Sequence, residues 1–261
     1  MPLASQLTPD RNAVTLFVGD SGCGKSCATA FYPKPIKWFD LTKRSAGILG
    51  HPLVAQKPAW LDQIDIARID VSKGFTALDT ELEMLTIKNQ YKTVVVEDFT
   101  AASDIFQEEA FRFTGALKDK EGKAISWHKQ LGRISLPGLD EFAYEDAAFK
   151  SLMTAVAKLN CNVICHVHWT DRYEGNKVVG KKISLRPATV PKVMKWYNEV
   201  YYFDKEYKKE VQNNKEVHTT KYKVVFRNEI ARTLYTNLPD EVEWTGQDFY
   251  QLLQNSIGVA Q

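Results

Sequence analysis

The stretch that most constrains this chain is GDSGCGKS, residues 19–26, which fits G-x-x-x-x-G-K-[ST] at every fixed position. Ahead of it runs Ala13-Val14-Thr15-Leu16-Phe17-Val18, apolar and β-prone. Behind it Cys27-Ala28-Thr29-Ala30-Phe31-Tyr32 is short, helix-compatible and closed by Pro33. A glycine-rich loop between a strand and a helix is the setting in which this motif cradles phosphate; a chance glycine turn would lack both flanks. Gly19, Gly22 and Gly24 let the backbone N–H groups converge on phosphate oxygens. The helix that follows adds its positive end. The spacing assigns Lys25 to the outer phosphates and the Ser26 hydroxyl to Mg²⁺. Asp20, Ser21, Cys23 and Cys27 complete the expected nucleotide-contacting run, with ATP and Mg²⁺ as its ligands.

Two further strands end in acid. Ile36-Lys37-Trp38-Phe39 reads as a strand closing at Asp40, and carboxylates at strand carboxyl ends face the crevice where open α/β sheets bind ligands. Asp40 is thus a candidate base for the attacking water, or else a cap for the turn at Leu41-Thr42-Lys43. About 70 residues beyond the loop, Thr93-Val94-Val95-Val96-Glu97-Asp98 is a β-branched run ending in two acids. This is the form of a Walker B strand, whose carboxylate holds Mg²⁺ through water and faces Ser26. Glu97 fills that part if the strand ends at it, and Asp98 if the strand is one residue longer. A later strand, Cys161-Asn162-Val163-Ile164-Cys165-His166-Val167-His168, ends in polar residues. Its Cys/His spacing matches no familiar zinc set. A polar side chain sensing the γ-phosphate fits better, His168 first and His166 second.

Net charge is only +2, yet it is unevenly placed. Residues 114–138 carry Lys118, Lys120, Lys123, Lys129 and Arg133 against two acids, with Trp127 and His128 between them. Residues 171–195 carry seven cations, among them Lys177, Lys181, Lys182 and Arg186, against two acids, which leaves the rest of the chain at −6. Cations interleaved with aromatics suit single-stranded nucleic acid, phosphate on charge and base on ring. The plain alternative is a solvated face. Arg227 and Arg232 follow a strand-rich segment and are either fingers for a neighbouring active site or surface residues.

The remaining elements read as a strand over 64–71, a helix from Thr76 carrying Leu78, Leu82 and Leu85, and helices over 103–113 and 144–159. Residues 45–61 are irregular by composition. Strands over 199–204 and 217–226 are joined by a turn near Asn213-Asn214. The predicted fold is α/β: a RecA-like P-loop NTPase core, a mostly parallel central sheet flanked by helices, plus a C-terminal β-hairpin. The 261 residues suit one such domain, with a tail over 1–12 and a β-rich extension over 199–236. No apolar run approaches the ~18 residues of a membrane span. The start MPLASQLTPDRN has no apolar signal core. Four cysteines in two close pairs within core elements are read as reduced thiols. A cytoplasmic protein without membrane attachment is expected.

The order of these landmarks resembles RecA-like cores. More closely, it is similar to the small phage nucleotide-binding proteins that keep only that core, several of which are ATP-dependent single-strand DNA annealing or recombination proteins. The resemblance spans residues 13–238, and GDSGCGKS is its specific part. It implies ATP binding at residues 19–26, metal binding near Glu97 and water activation by Asp40 or a neighbour. It further implies DNA contact through both basic segments and self-assembly into a ring or filament. Two departures stand out: Glu97-Asp98 replaces an aspartate followed by a small residue, and the usual late lysine–arginine pair is missing. A DNA-stimulated ATPase that binds single-stranded DNA, in the host cytoplasm if phage-encoded, with a single-strand-binding or replication protein as a further partner, is the leading expectation. A nucleotide-switched interaction protein, such as a helicase loader or packaging-associated ATPase, is the alternative. A nucleotide kinase would need an arginine-rich helical lid, which the sequence does not present.

Overall fold

A computed structural model describes residues 13–48, 52–70, 75–116, 129–131, 134–136, 138–212, 215–234 and 238–257. Its backbone is a sheet of eight strands. The phosphate-loop strand β1 (Val14–Gly19) leads into α1 (Lys25–Ala30), then β2 (Ile36–Asp40). Two single-turn helices, α2 (Pro52–Ala55) and α3 (Pro58–Leu61), precede β3 (Ile64–Arg68) and α4 (Phe75–Ile87). Next come β4 (Thr93–Glu97), α5 (Phe99–Ala116), the short hairpin β5 (Lys129–Leu131) and β6 (Ile134–Leu136), and α6 (Leu139–Ala157). The chain continues through β7 (Asn162–Val167), a hairpin of β8 (Trp169–Glu174) and β9 (Lys177–Ile183), and α7 (Val190–Met194). It closes with β10 (Glu199–Gln212), β11 (Lys215–Val225), β12 (Glu241–Glu243) and α8 (Phe249–Ile257).

The strand order is β12-β11-β10-β1-β7-β4-β2-β3, parallel from β10 to β3, with β11 and β12 antiparallel at one edge. Because β7 lies between β1 and β4, the loop strand and the acid strand are separated by the histidine strand. Alternation along β1 sorts the core: Leu16 and Val18 join one buried cluster with α4, α5 and α6, while Phe17 joins the other with α1 and α8. Both sheet faces are covered, which explains the continuous Val94-Val95-Val96 run. On the α8 face Phe17 meets Phe203 at 4.8 Å and Phe249 at 5.8 Å between ring centroids. Each fully buried ring of this kind stabilises by about 1.5–3 kcal/mol.

Local hydrogen bonds set helix boundaries where periodicity does not. The expected helix over 103–113 begins at Phe99, because the Asp98 carboxylate accepts the Ala101 N–H at 2.7 Å. The one expected over 144–159 begins at Leu139, where Glu141 accepts the Gly138 N–H at 2.7 Å. Residues 45–48 form a 3₁₀ turn and 52–61 hold two short helices, rather than an irregular stretch. The basic residues 171–195 overlap the β8–β9 hairpin, which charge alone does not reveal. The β10–β11 pairing brackets the turn expected at Asn213-Asn214, two residues outside the described ones.

Candidate nucleotide site

A cavity of about 620 Å³ opens where β1 and β4 end. Its floor is the loop itself: Asp20, Ser21, Gly22, Cys23, Gly24, Lys25, Ser26 and Cys27 all line it. Gly22 and Gly24 have φ of 71° and 100°, the left-handed region that turns successive N–H groups to one side. The Lys25 ammonium is folded down on the loop, donating to the carbonyls of Gly19 at 2.6 Å and Asp20 at 2.9 Å. Burial pushes the Cys27 thiol up to about 12, and raises Cys23 too, although the Lys25 charge opposes the shift there. Both are therefore protonated, uncharged lining.

The two adjacent acids separate. Glu97 turns to the loop: Oε1 accepts the Ser26 hydroxyl at 2.7 Å, and Oε2 accepts the Trp38 indole N–H at 2.9 Å. The His166 Nδ1 lies 3.4 Å from Oε1 without hydrogen-bond geometry, and its Nε2 is 2.8 Å from the Thr29 hydroxyl. Burial alone would raise Glu97, but His166, Ser26 and Trp38 together hold its carboxyl below the usual range. Asp98 turns to α5 and to His168, whose Nε2 is 3.2 Å from Oδ2. Both Asp98 and His168 line the cavity, whereas His166 is fully buried beneath it.

Asp40 is corrected. It is fully buried, and both its oxygens are taken by its own turn: Oδ1 by the N–H groups of Thr42 and Arg44 and the Thr42 hydroxyl, Oδ2 by the N–H and hydroxyl of Ser45. Burial pushes its pKa up, yet the bonds from Ser45, Arg44 and Thr42 outweigh that and hold it low. This fits the turn-cap reading rather than the water base: Asp40 shapes the loop that brings Thr42, Arg44 and Ile48 to the cavity.

Two arginines and one further cation are likewise engaged within the chain. Arg232 donates to the carbonyls of Met194 and Tyr197, and its backbone bridges Val200 at the start of β10. Arg227 donates to the Leu238 carbonyl and to Asp240 just past the end of β11. Both lie towards the sheet end opposite the loop and serve their own chain. Arg186, expected on nucleic acid, is held by fully buried Glu145 at 3.0 Å and by Asp146 at 2.7 Å. Lys181 rests 3.5 Å from the centre of the Trp169 ring, with Asp204 3.4 Å away. Lys177 and Lys182 are exposed on the hairpin. Lys118, Lys120, Lys123 and Arg133, and the side chain of Lys129, lie outside the described residues.

Several lining residues have no sequence signal: Tyr222 from β11, and Trp244, Thr245 and Gly246 before α8. Trp244 is 3% exposed and packs its ring edge on Gly24. Lys205 of β10 donates to the Ser21 carbonyl at 2.7 Å, so the loop is held from β10 as well.

Loop, acid and sheet order together define a P-loop NTPase of RecA-like architecture. The family described as AAA domain matches residues 11–237, and the chain belongs to it. Among solved structures it is similar to a KaiC-like protein from the hyperthermophilic archaeon Pyrococcus horikoshii, at 13% identity and a TM-score of 0.47, over 88% of this chain and 84% of that one. A search of the curated proteins finds no match. The fold is that of ATP-binding P-loop ATPases, which commonly use Mg²⁺, and the hard oxygen donors of Ser26 and Glu97 suit that ion. No helix among the described residues is long and apolar enough to cross a membrane.

Proposed function

We propose that this chain is an ATP-hydrolysing protein that binds single-stranded DNA under nucleotide control, acting in DNA recombination, annealing or replication, as in the phage proteins it resembles. The observation that carries the reading is the β8–β9 hairpin. It leaves the sheet one residue past Val167, beside the cavity-lining His168, and exposes Arg172, Lys177 and Lys182 with Tyr173, which is 59% exposed. Cations and an exposed ring on a hairpin that starts next to a nucleotide site suit a strand of phosphates and bases. A chain of contacts joins the two: Asp204 sits 3.4 Å from Lys181 of the hairpin, and the next residue, Lys205, holds the phosphate loop.

Within the site, Lys25 would serve the outer phosphates of a bound nucleotide, and Ser26 and Glu97 would hold Mg²⁺, which would neutralise phosphate charge. The attacking water falls to Asp98 and His168, a polar pair whose members both line the cavity and which leaves Ser26 and Glu97 to the metal. Arg227 and Arg232 are each bonded within their own chain, which favours a surface role over that of a finger for a neighbouring copy in a ring or filament. The test is retention of a single-stranded oligonucleotide against salt, with and without a non-hydrolysable ATP analogue, alongside Lys25→Ala. Nucleotide-dependent binding that weakens steeply with salt and is lost in the variant supports the proposal. No binding at low salt with nucleotide and Mg²⁺ ends it.

A second reading has an observation of its own. The same hairpin exposes Val178 at 55% and Val179 at 38%, apolar area that suits a protein partner in a nucleotide-switched interaction protein. Nucleotide-dependent co-elution of a partner, with an ATPase rate indifferent to DNA, favours it.

A further inference from the structure

The parallel pairing of β1 with β10 runs from Thr15 opposite Glu199 to Gly19 opposite Phe203. There β1 turns into the phosphate loop while β10 runs on, so the register carries Lys205 to the level of Ser21. Its ammonium donates to the Ser21 carbonyl at 2.7 Å, and a Cβ on Gly22 would stand 3.5 Å from it. Ser21 and Gly22 line the nucleotide cavity, whereas Lys205 does not. The ammonium therefore grips the loop from its outer side. The carboxylate next to it in sequence does not divert it: Asp204 is on the other face of the strand, 3.4 Å from Lys181.

A trans peptide is planar, with its C=O and N–H pointing in opposite directions. Holding the Ser21 carbonyl outward thus turns the Gly22 N–H inward, to the cavity side. This peptide unit has little else to hold it. Gly22 sits at φ 71° and, without a Cβ, takes either sign of φ about as readily. A flip of the unit, which would present phosphate with a carbonyl in place of an N–H, meets no steric penalty at Gly22. The two preceding carbonyls, those of Gly19 and Asp20, are held by Lys25 instead.

Resting on the nucleotide reading, we propose that Lys205 is a positioning residue for phosphate binding: from outside the cavity it keeps the Gly22 N–H aimed at the phosphates. Lys25 cannot hold its loop carbonyls and serve the outer phosphates at once, whereas Lys205 holds the Ser21 carbonyl whether the cavity is filled or not. It makes no contact with the ligand. It raises the share of molecules whose loop is already turned for phosphate, and apparent affinity scales with that share.

The experiment is equilibrium binding of a fluorescent, non-hydrolysable ATP analogue, and its displacement by inorganic tripolyphosphate, on wild type, Lys205→Met and Lys205→Arg. Tripolyphosphate discriminates, because Lys205 also pairs across the ribbon with Tyr222, which lines the cavity. Only an effect on phosphate reaches a ligand that has no base. Lys205→Met should weaken both ligands about tenfold, the lower end of what a hydrogen bond to a charged group contributes. Lys205→Arg, which keeps charge and donors, should recover most of that loss. A loss on the analogue with tripolyphosphate unchanged overturns the proposal in favour of an effect through Tyr222. Unchanged affinity for both ligands overturns it, as does a loss that Lys205→Arg shares in full or one that urea unfolding accounts for as missing folded protein. A wild type that binds neither ligand instead refutes the nucleotide reading beneath it.

Discussion

Replacing Gly24 by alanine tests whether the C-terminal segment forms a rigid wall of the phosphate loop. Two costs are worked from the geometry. Gly24 has φ 100°, where an L-residue pays roughly 1–2 kcal/mol. A Cβ there would stand 2.5 Å from Trp244 Cζ3, about 1 Å inside the 3.5–4.0 Å carbon–carbon optimum. Trp244 has nowhere to retreat: its indole donates to the Gln247 carbonyl at 2.9 Å, and its ring packs edge-on against Phe203 and Phe249. Overpacking of this kind costs about 1–3 kcal/mol, so Gly24→Ala should lose about 3 kcal/mol in all. Urea unfolding followed by circular dichroism measures it, on Gly24→Ala, Trp244→Leu and the double variant. Trp244→Leu loses packing by itself, yet it also removes the obstacle. The double variant should then be about 1–2 kcal/mol more stable than the sum of the single losses. Additivity within about 0.5 kcal/mol, or a Gly24→Ala protein as stable as wild type, would refute the reasoning.

Asp40→Asn replaces one of the two carboxylate oxygens that between them serve five donors, and should cost about 2 kcal/mol at pH 7 while ATP turnover per folded molecule stays within a few-fold. Because the folded pKa lies below the unfolded one, this stability is present above about pH 4 and is lost as pH falls through the folded value. The gap between wild type and Asp40→Asn should therefore close in acid; a constant gap, or abolished turnover at neutral pH, counts against it. Arg186→Ala leaves the fully buried Glu145 without its cation and should destabilise by about 3 kcal/mol with little change in DNA affinity. Lys177→Glu with Lys182→Glu should do the reverse, weakening DNA binding and flattening its salt dependence with stability within about 0.5 kcal/mol. A binding assay and a melting curve on each variant read both halves.

What the chain says by itself is local. Strand, glycine loop, Lys25 and Ser26 are contiguous, and backbone sterics tie such a motif to one geometry. The β-branched run before Glu97 and the apolar spacing of Leu78, Leu82 and Leu85 likewise announce a buried strand and a helix face. Nothing in a linear sequence weighs one partner against another at a distance. Asp40 and Asp98 each end or follow a strand with an acid, yet five donors within five residues occupy the first, while the second meets His168 in the cavity. Arg186 and Lys182 look alike as charges; only packing gives one a buried glutamate and leaves the other exposed. Trp38 and Trp244 carry no motif, and they reach Glu97 and Gly24 across 59 and 220 residues of chain because the strand order places them there. Local sterics belong to the sequence, but which buried polar atom satisfies which is decided once the sheet has closed.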